Sequence, residues 1–283
     1  MDFIPGQTAS HEYTTFPRQF VSYKWFKPLL VALLTFVFMF LFQIGLIVAA
    51  VAWEGDVAFL FDISASYDDM NPYTGPNALV LIGGVAVLLP ALALAALIVR
   101  DRPYSSYSSS RGGWNWDAFA KCMIVGLVAV GVPTAVQLAF FPDQNATGVV
   151  SFTVAGIVAC AVLVPLQCAA EEYIFRGLIM QAIGSWTKLP VLAIVLQAAI
   201  FASAHPYNLI GVVSIFISGL VWGAVVWQTK GLEASTAAHI ANNLIAFGAG
   251  GLGIAATTSE IDIASFAVAL GIDASAFCLA AHH

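Results

Sequence analysis

Residues 162–180 read VLVPLQCAAEEYIFRGLIM, an apolar run that continues on both sides of two adjacent glutamates and an arginine. Ionisable groups at membrane depth are costly and usually functional, so the register of this run matters. If the helix continues to about Trp186, a turn through Thr187, Lys188 and Leu189 leads to Pro190, a good first residue for the next helix. Glu171 and His205 then each lie fifteen residues from that turn, which is ~22 Å along an α-helix. An antiparallel hairpin would bring the carboxylate and the imidazole to one depth. If the helix instead stops at Ala170, both glutamates are surface charges and lie a membrane thickness away from His205. The longer helix is the expectation.

The rest of the chain gives this run its setting. Of 283 residues, 60% are hydrophobic and 9% charged, against roughly a quarter charged in soluble domains. Mean hydropathy is +0.89. Repeated apolar runs near twenty residues are what a hydrocarbon core of ~30 Å requires. The expected fold is all-α, a polytopic helical membrane protein with about eight transmembrane helices. Candidate spans are Leu29 to Trp53, Ala78 to Val99, Ala118 to Phe141, a run from near Val149, Pro190 to Ala204, Ile210 to Gln228, Ala234 to Phe247 and Ile263 to Ala281. The four cysteines, Cys122, Cys160, Cys168 and Cys278, lie in apolar runs without a CxxC pairing and read as small core residues.

Charge orients the helices. Reading alternately from a cytoplasmic N-terminus places Arg18, Lys24, Lys27, Arg100, Arg102, Arg111, Lys121, Arg176, Lys188 and Lys230 on or toward the cytoplasmic side. The opposite loops carry Glu54, Asp56, Asp62, Asp68, Asp69 and Asp143 without a lysine or arginine, as the positive-inside rule expects. No basic patch points to a nucleic acid partner. The Ser, Tyr and Gly stretch from Tyr104 to Gly113 reads as a solvated cytoplasmic linker. The chain divides into a cytoplasmic N-terminal segment (1–27), N-terminal transmembrane helices (28–148), a catalytic transmembrane core (149–248), and a C-terminal transmembrane helix and tail (249–283).

Further polar residues accompany the glutamates. Glu172 and Arg176 are four apart, as are His239 and Asn243, and this spacing puts each pair on one helical face. His239 follows Lys230 by nine residues, a depth of roughly 13 Å. Gly219 and Gly223 form a GxxxG step that favours close helix packing. Taken singly, His205 before Pro206 is as readily a helix-end residue bonded to backbone, and Asn243 is as readily interhelical glue. Their convergence at one depth favours a site.

Such a site offers two carboxylates, two imidazoles, a carboxamide and a guanidinium, without an obviously activated serine or thiol. Hydrolysis suits it: a carboxylate with a histidine deprotonates water, while His239 and Asn243 donate hydrogen bonds to the resulting oxyanion. The candidate catalytic residues are Glu171, Glu172, Arg176, His205, His239 and Asn243. The set Glu171, His205 and His239 also suits a divalent metal such as zinc, although the HExxH motif is absent. The residues alone leave a metal-activated and a glutamate-activated water both open. A scaffold or immunity protein and an ion-coupled transporter are the non-enzymatic alternatives.

These residues resemble the CPBP family of CAAX proteases and bacteriocin-processing or immunity proteins. Glu171, Glu172 and Arg176 match its EExxxR motif, Phe201 and His205 its FxxxH motif, and His239 and Asn243 its HxxxN motif, in the family order and within Pro165 to Phe247. The resemblance implies an intramembrane endopeptidase with Glu171 activating water, His205 assisting, and His239 and Asn243 stabilising the oxyanion. It also implies a membrane-associated peptide or protein as substrate, which in eukaryotic members is a prenylated CAAX C-terminus.

Overall fold

The computed structural model describes residues 3, 12–59, 70–143 and 145–256. Within them all regular structure is helical, apart from isolated bridges joining Phe3 to Phe20 and Ser109 to Gly231. The elements are α1 (Lys27–Glu54), α2 (Gly75–Ala86), α3 (Leu88–Val99), α4 (Trp116–Phe140), α5 (Val154–Glu172), a π-helical segment (Tyr173–Met180), α6 (Gln181–Thr187), α7 (Pro190–Ser203), α8 (Leu209–Thr229) and α9 (Glu233–Gly251). A single turn, Ser105–Ser108, lies between α3 and α4.

Local chemistry explains the boundaries. Proline occupies the first turn of α1, α2 and α7, where its missing N–H leaves nothing unsatisfied. Asn115, Thr153 and Asn208 cap α4, α5 and α8 by accepting from the N–H groups of Ala118, Gly156 and Gly211. Arg100, Lys188 and Lys230 end α3, α6 and α8 in the left-handed conformation, with φ of 52°, 59° and 62°. A cation there also faces the negative end of the helix dipole.

Among the described residues, five helical stretches are long and apolar enough to cross a membrane: Lys27–Glu54, Gly75–Val99, Trp116–Phe140, Val154–Thr187 and Leu209–Thr229. The chain is thus an all-helical integral membrane protein, while the expected count of eight is not reached among the described residues. The α7 helix has only 14 residues, α9 carries the polar site residues, and the expected span Ile263 to Ala281 lies outside the described residues. Leu33, Phe36, Phe40, Leu41 and Ile44 of α1 are exposed, as a helix solvated by lipid requires.

Helix continuity past Glu171 and Glu172 matches the preferred register. The chain stays helical from Val154 to Thr187, 34 residues, or ~51 Å at α-helical rise. This exceeds the hydrocarbon thickness, so part of it projects beyond the apolar layer. The π segment begins directly after the glutamates. There Gly177 lies against the Tyr107 backbone, which an added Cβ would approach to 2.8 Å, and its carbonyl accepts from Arg102 Nη2 at 3.2 Å.

The GxxxG step in α8 acts as expected. A Cβ on Gly219 would stand 3.0 Å from Ala198 Cβ, and one on Gly223 would stand 2.6 Å from Gln197 Nε2. Gln197 Nε2 donates to the Gly219 carbonyl at 2.8 Å. Gly219→Leu therefore forces α7 and α8 apart and should cost about 1–3 kcal/mol, the usual penalty for overpacking. A lowered unfolding midpoint in detergent checks this.

The stretch from Tyr104 to Gly113 is not the solvated linker that its composition suggests. Ser106, Tyr107, Ser108, Ser109 and Ser110 are all buried. Small side chains let this loop run against Gly177 and Gly231, with Gln181 Nε2 donating to the Ser106 carbonyl and Leu232 N to the Ser108 carbonyl. The N-terminal segment lies over it. Tyr13 is fully buried and donates to the Tyr107 carbonyl at 2.9 Å, and Arg18 Nη1 donates to the Ser185 carbonyl at 2.9 Å.

Glu12 ties the same segment to the end of α8. It accepts from Lys230 Nζ, Trp227 Nε1 and Thr14. Partial burial works against its carboxylate, but the Thr14 hydrogen bonds, the Lys230 charge and Trp227 outweigh it and hold Glu12 below the ordinary carboxylate range. A depressed folded-state pKa means that the stabilisation is present above the unfolded value, 4.5, and is lost as pH falls through the lower folded value. Acidification through that window should raise proteolytic cutting near residues 12–20, and Glu12→Gln should flatten the dependence.

Candidate active site

Four of the six candidate residues form one buried cluster. Glu171 and Glu172 end α5, Arg176 lies in the π segment, and His239 reaches them from α9. Arg176 Nη1 donates to Glu172 Oε1 at 2.9 Å, with both side chains fully buried. His239 Nδ1 lies 3.1 Å from the same oxygen, and its Nε2 lies 3.6 Å from Glu171 Oε2. The imidazole therefore bridges the two carboxylates. Packing fixes its plane, with the Trp222 ring 4.9 Å away and Phe201 at 6.3 Å. The Arg176 guanidinium lies over Phe201 at 4.4 Å, so its charge faces an aromatic ring as well as the carboxylate.

Tautomers follow from the partners. Glu172 Oε1 already accepts from Arg176, so His239 Nδ1 carries the proton that it donates there. His239 Nε2 is then a donor only when the ring is cationic. Such a cation would balance the cluster, with Glu171 and Glu172 against Arg176 and His239. His205 Nδ1 lies 2.8 Å from the Phe201 carbonyl, which can only accept. Its neutral ring therefore presents Nε2 as an acceptor.

His205 and Asn243 stand apart from the four. His205 lies beyond the end of α7, half-buried, with its ring 4.8 Å from Phe201 and stacked on Tyr207 at 6.1 Å. It forms no ion pair with either glutamate among the described residues. Asn243 is half-buried one turn beyond His239, and its Oδ1 accepts from Asn242 Nδ2 at 3.1 Å. That bond turns the Asn243 amide nitrogen away from Asn242 and leaves it to donate elsewhere.

The metal set offered by the sequence is not assembled. Among the described residues no three His, Cys, Asp or Glu side chains are grouped to hold an ion. The Nδ1 bonds of His239 to Glu172 and of His205 to the Phe201 carbonyl leave Nε2 of each ring as the atom a metal would need.

Gln167 is a neighbour that the motifs do not point to. It lies one turn before Glu171, and its Nε2 donates to Glu171 Oε1 at 3.0 Å. The other oxygen, Oε2, is buried without a hydrogen-bond partner among the described residues. The i to i+4 spacing is a signal in the sequence, but a glutamine beside a motif resembles any helix-surface residue. A hydrogen bond to a charged group is worth roughly 1.5–3 kcal/mol. Gln167→Leu removes this bond and leaves the buried Glu171 carboxylate unheld, so it should lower the unfolding midpoint in detergent, by a loss of about 1–3 kcal/mol.

The candidate residues lie in the part of the chain that is similar to known proteins. Residues 151–245 match the family model described as type II CAAX prenyl endopeptidase Rce1-like, which includes every candidate residue. Together with the three motifs, this match supports assignment of the chain to the CPBP family. Uncharacterized protein YyaK of Bacillus subtilis (strain 168) is 26% identical over 231 residues, or 73% of this chain and 74% of that protein. No solved structure matches significantly.

Proposed function

We propose that the protein is an intramembrane endopeptidase that hydrolyses peptide bonds of membrane-associated substrates with a water activated by Glu171. The observation that carries this reading is the unequal state of the two Glu171 oxygens, one hydrogen-bonded by Gln167 and the other without a hydrogen bond, 3.6 Å from His239 Nε2. A water between Glu171 Oε2 and His205 Nε2 loses its proton to the carboxylate as its oxygen attacks the peptide carbonyl. His239 Nε2–H and Asn243 Nδ2–H donate to the oxyanion. Collapse of the tetrahedral species breaks the C–N bond, and the Glu171 proton passes to the leaving amine. Glu172 holds the His239 ring in place and supports its charge, and Arg176 holds Glu172.

The matched family extends the proposal to lipid-modified C-termini as one form of membrane-associated substrate. This reading assigns the catalytic core to 149–248 and, from the distribution of basic residues, the N-terminus to the cytoplasmic side. Purified protein in detergent should cleave peptides, and His205→Ala should remove most of that activity while leaving the helical content and unfolding midpoint in place. Unchanged turnover in His205→Ala would remove it from the mechanism. A scaffold or transporter would show no cleavage in the parent protein.

A further inference from the structure

A second group of buried polar side chains lies apart from the carboxylate cluster, between the N-terminal segment, the end of α3 and α6. Arg102 is 1% exposed. Its Nη2 donates to the Gly177 carbonyl, its guanidinium covers the Tyr107 ring at 3.8 Å, and its Nε stands 3.7 Å from Asp101 Oδ2. Arg102 Nε and Nη1, Tyr23 Oη and Ser185 Oγ are buried atoms without a hydrogen-bond partner among the described residues. Ser185, Arg102, Arg18 and Asp101 are all electrostatic neighbours of the Tyr23 phenol, so these donors share one region. Asp101 is its acid, and Asp101 Oδ1 already accepts from Tyr107 Oη. Two guanidiniums against one carboxylate leave an excess of positive charge, and buried donors without acceptors are costly. An anion with several acceptor oxygens suits them.

The rim of this region is basic. Arg18 Nη1 donates to the Ser185 carbonyl, Ser22 Oγ to the Asp101 carbonyl, Trp186 Nε1 to the Trp25 carbonyl and Lys27 Nζ to the Arg100 carbonyl. These bonds draw Arg18, Lys24, Lys27, Arg100 and Lys188 to one edge of the protein. None of the five forms an ion pair among the described residues, whereas Arg102, Arg111, Lys121, Arg176 and Lys230 each pair with a carboxylate. The uncompensated cations are thus gathered where α1 begins. Trp25 and Trp186 are exposed at the same edge, and the exposed apolar face of α1 starts there with Phe26, Leu29 and Leu30. Tryptophans of this kind mark the boundary between headgroups and hydrocarbon.

The geometry points to a binding site for the phosphodiester headgroup of an anionic phospholipid at the junction of the N-terminal segment, α1, α3 and α6. Its phosphate is taken by Arg18, Arg102, Tyr23 and Ser185, and its acyl chains lie along α1. Basic pockets between membrane helices bind such headgroups, and the adjoining apolar face favours a lipid over dissolved phosphate. The bound lipid ties the N-terminal segment to α3 and, through the Arg102 bond to the Gly177 carbonyl, to the π segment. A ligand that binds only the folded chain stabilises it. The inference is independent of the proteolytic reading.

Delipidated full-length protein in a neutral detergent tests this without any substrate. It is mixed with dioleoylphosphatidylglycerol, dioleoylphosphatidylcholine or inorganic phosphate, and native mass spectrometry reads the lipid retained while thermal unfolding reads the stabilisation. Phosphatidylglycerol should be retained and raise the midpoint, and the other two should do neither. Arg18→Gln should weaken retention about tenfold, as loss of one hydrogen bond between charged groups implies. Lys121→Gln removes the same charge on α4, where Lys121 pairs with Asp117, and should retain the lipid as the parent does. Tyr23→Phe combined with Ser185→Ala leaves the charges in place and should also weaken retention, which keeps the test decisive if Arg18→Gln misfolds. Equal retention of phosphatidylcholine, equal protection by inorganic phosphate, or no retained lipid overturns the inference. So does an equal loss in Lys121→Gln and Arg18→Gln, which would show general surface attraction, or parent-like retention in the folded site variants.

Discussion

Glu171→Gln is expected to abolish peptide cleavage, with a loss of about 10²–10⁴-fold in kcat, the range attached to a general base, and to leave the fold intact. The glutamine fills the same volume and its Oε1 can still accept from Gln167 Nε2, so packing is preserved. What it lacks is the ability to take a proton at Oε2, which has no hydrogen-bond partner among the described residues. It also removes the negative charge 3.6 Å from His239 Nε2, so oxyanion stabilisation should shift in the same variant. KM should change little, because the carboxylate is used for proton transfer. Purified variant and parent, matched for unfolding midpoint, provide the comparison.

The second large effect concerns a residue that touches no reacting atom. Arg176→Met removes the cation from Glu172 and from beneath Phe201. Breaking a buried ion pair by deleting one partner typically costs about 3–5 kcal/mol, because the remaining charge is stranded. The variant should unfold at lower temperature in detergent and lose activity, since the His239 Nδ1 partner is then poorly held. Adding Glu172→Gln to Arg176→Met removes the stranded charge. The double variant should regain much of the midpoint but little of the cleavage, which distinguishes a residue that positions His239 from one that only supports the fold.

How far these features can be read in the chain depends on whether their cause is local. The i to i+4 pairings of Glu172 with Arg176 and of His239 with Asn243 are properties of any helix, so spacing alone puts them on common faces. Continuation past Glu171 is legible because apolar residues resume at Leu178 and Pro190 supplies a start for the next helix. The π segment is not legible. Within it Gly177 meets the backbone of Tyr107, far away in the chain, and no periodicity records that contact. Burial of Ser106 to Ser110 escapes a sequence reading for a related reason. Serine and glycine favour turns in water, but here their small volume lets a loop press against Gly177 and Gly231. His205 falls at the expected end of its helix, and among the described residues it forms no ion pair with Glu171. Helix ends are readable from length and composition only to within a residue or two. Composition says which metal ligands are present and not whether the fold groups them, and among the described residues no three are grouped.

The central claim is that this chain hydrolyses a peptide bond with water activated at Glu171, and one measurement addresses it directly. Purified protein is incubated with a pool of membrane-associated peptides in H₂¹⁸O, and new termini are identified by mass spectrometry. The account predicts new C-terminal carboxylates carrying one solvent oxygen in the parent protein and none above background in Glu171→Gln. New termini of equal yield from both proteins, or none from a folded parent protein, would contradict it.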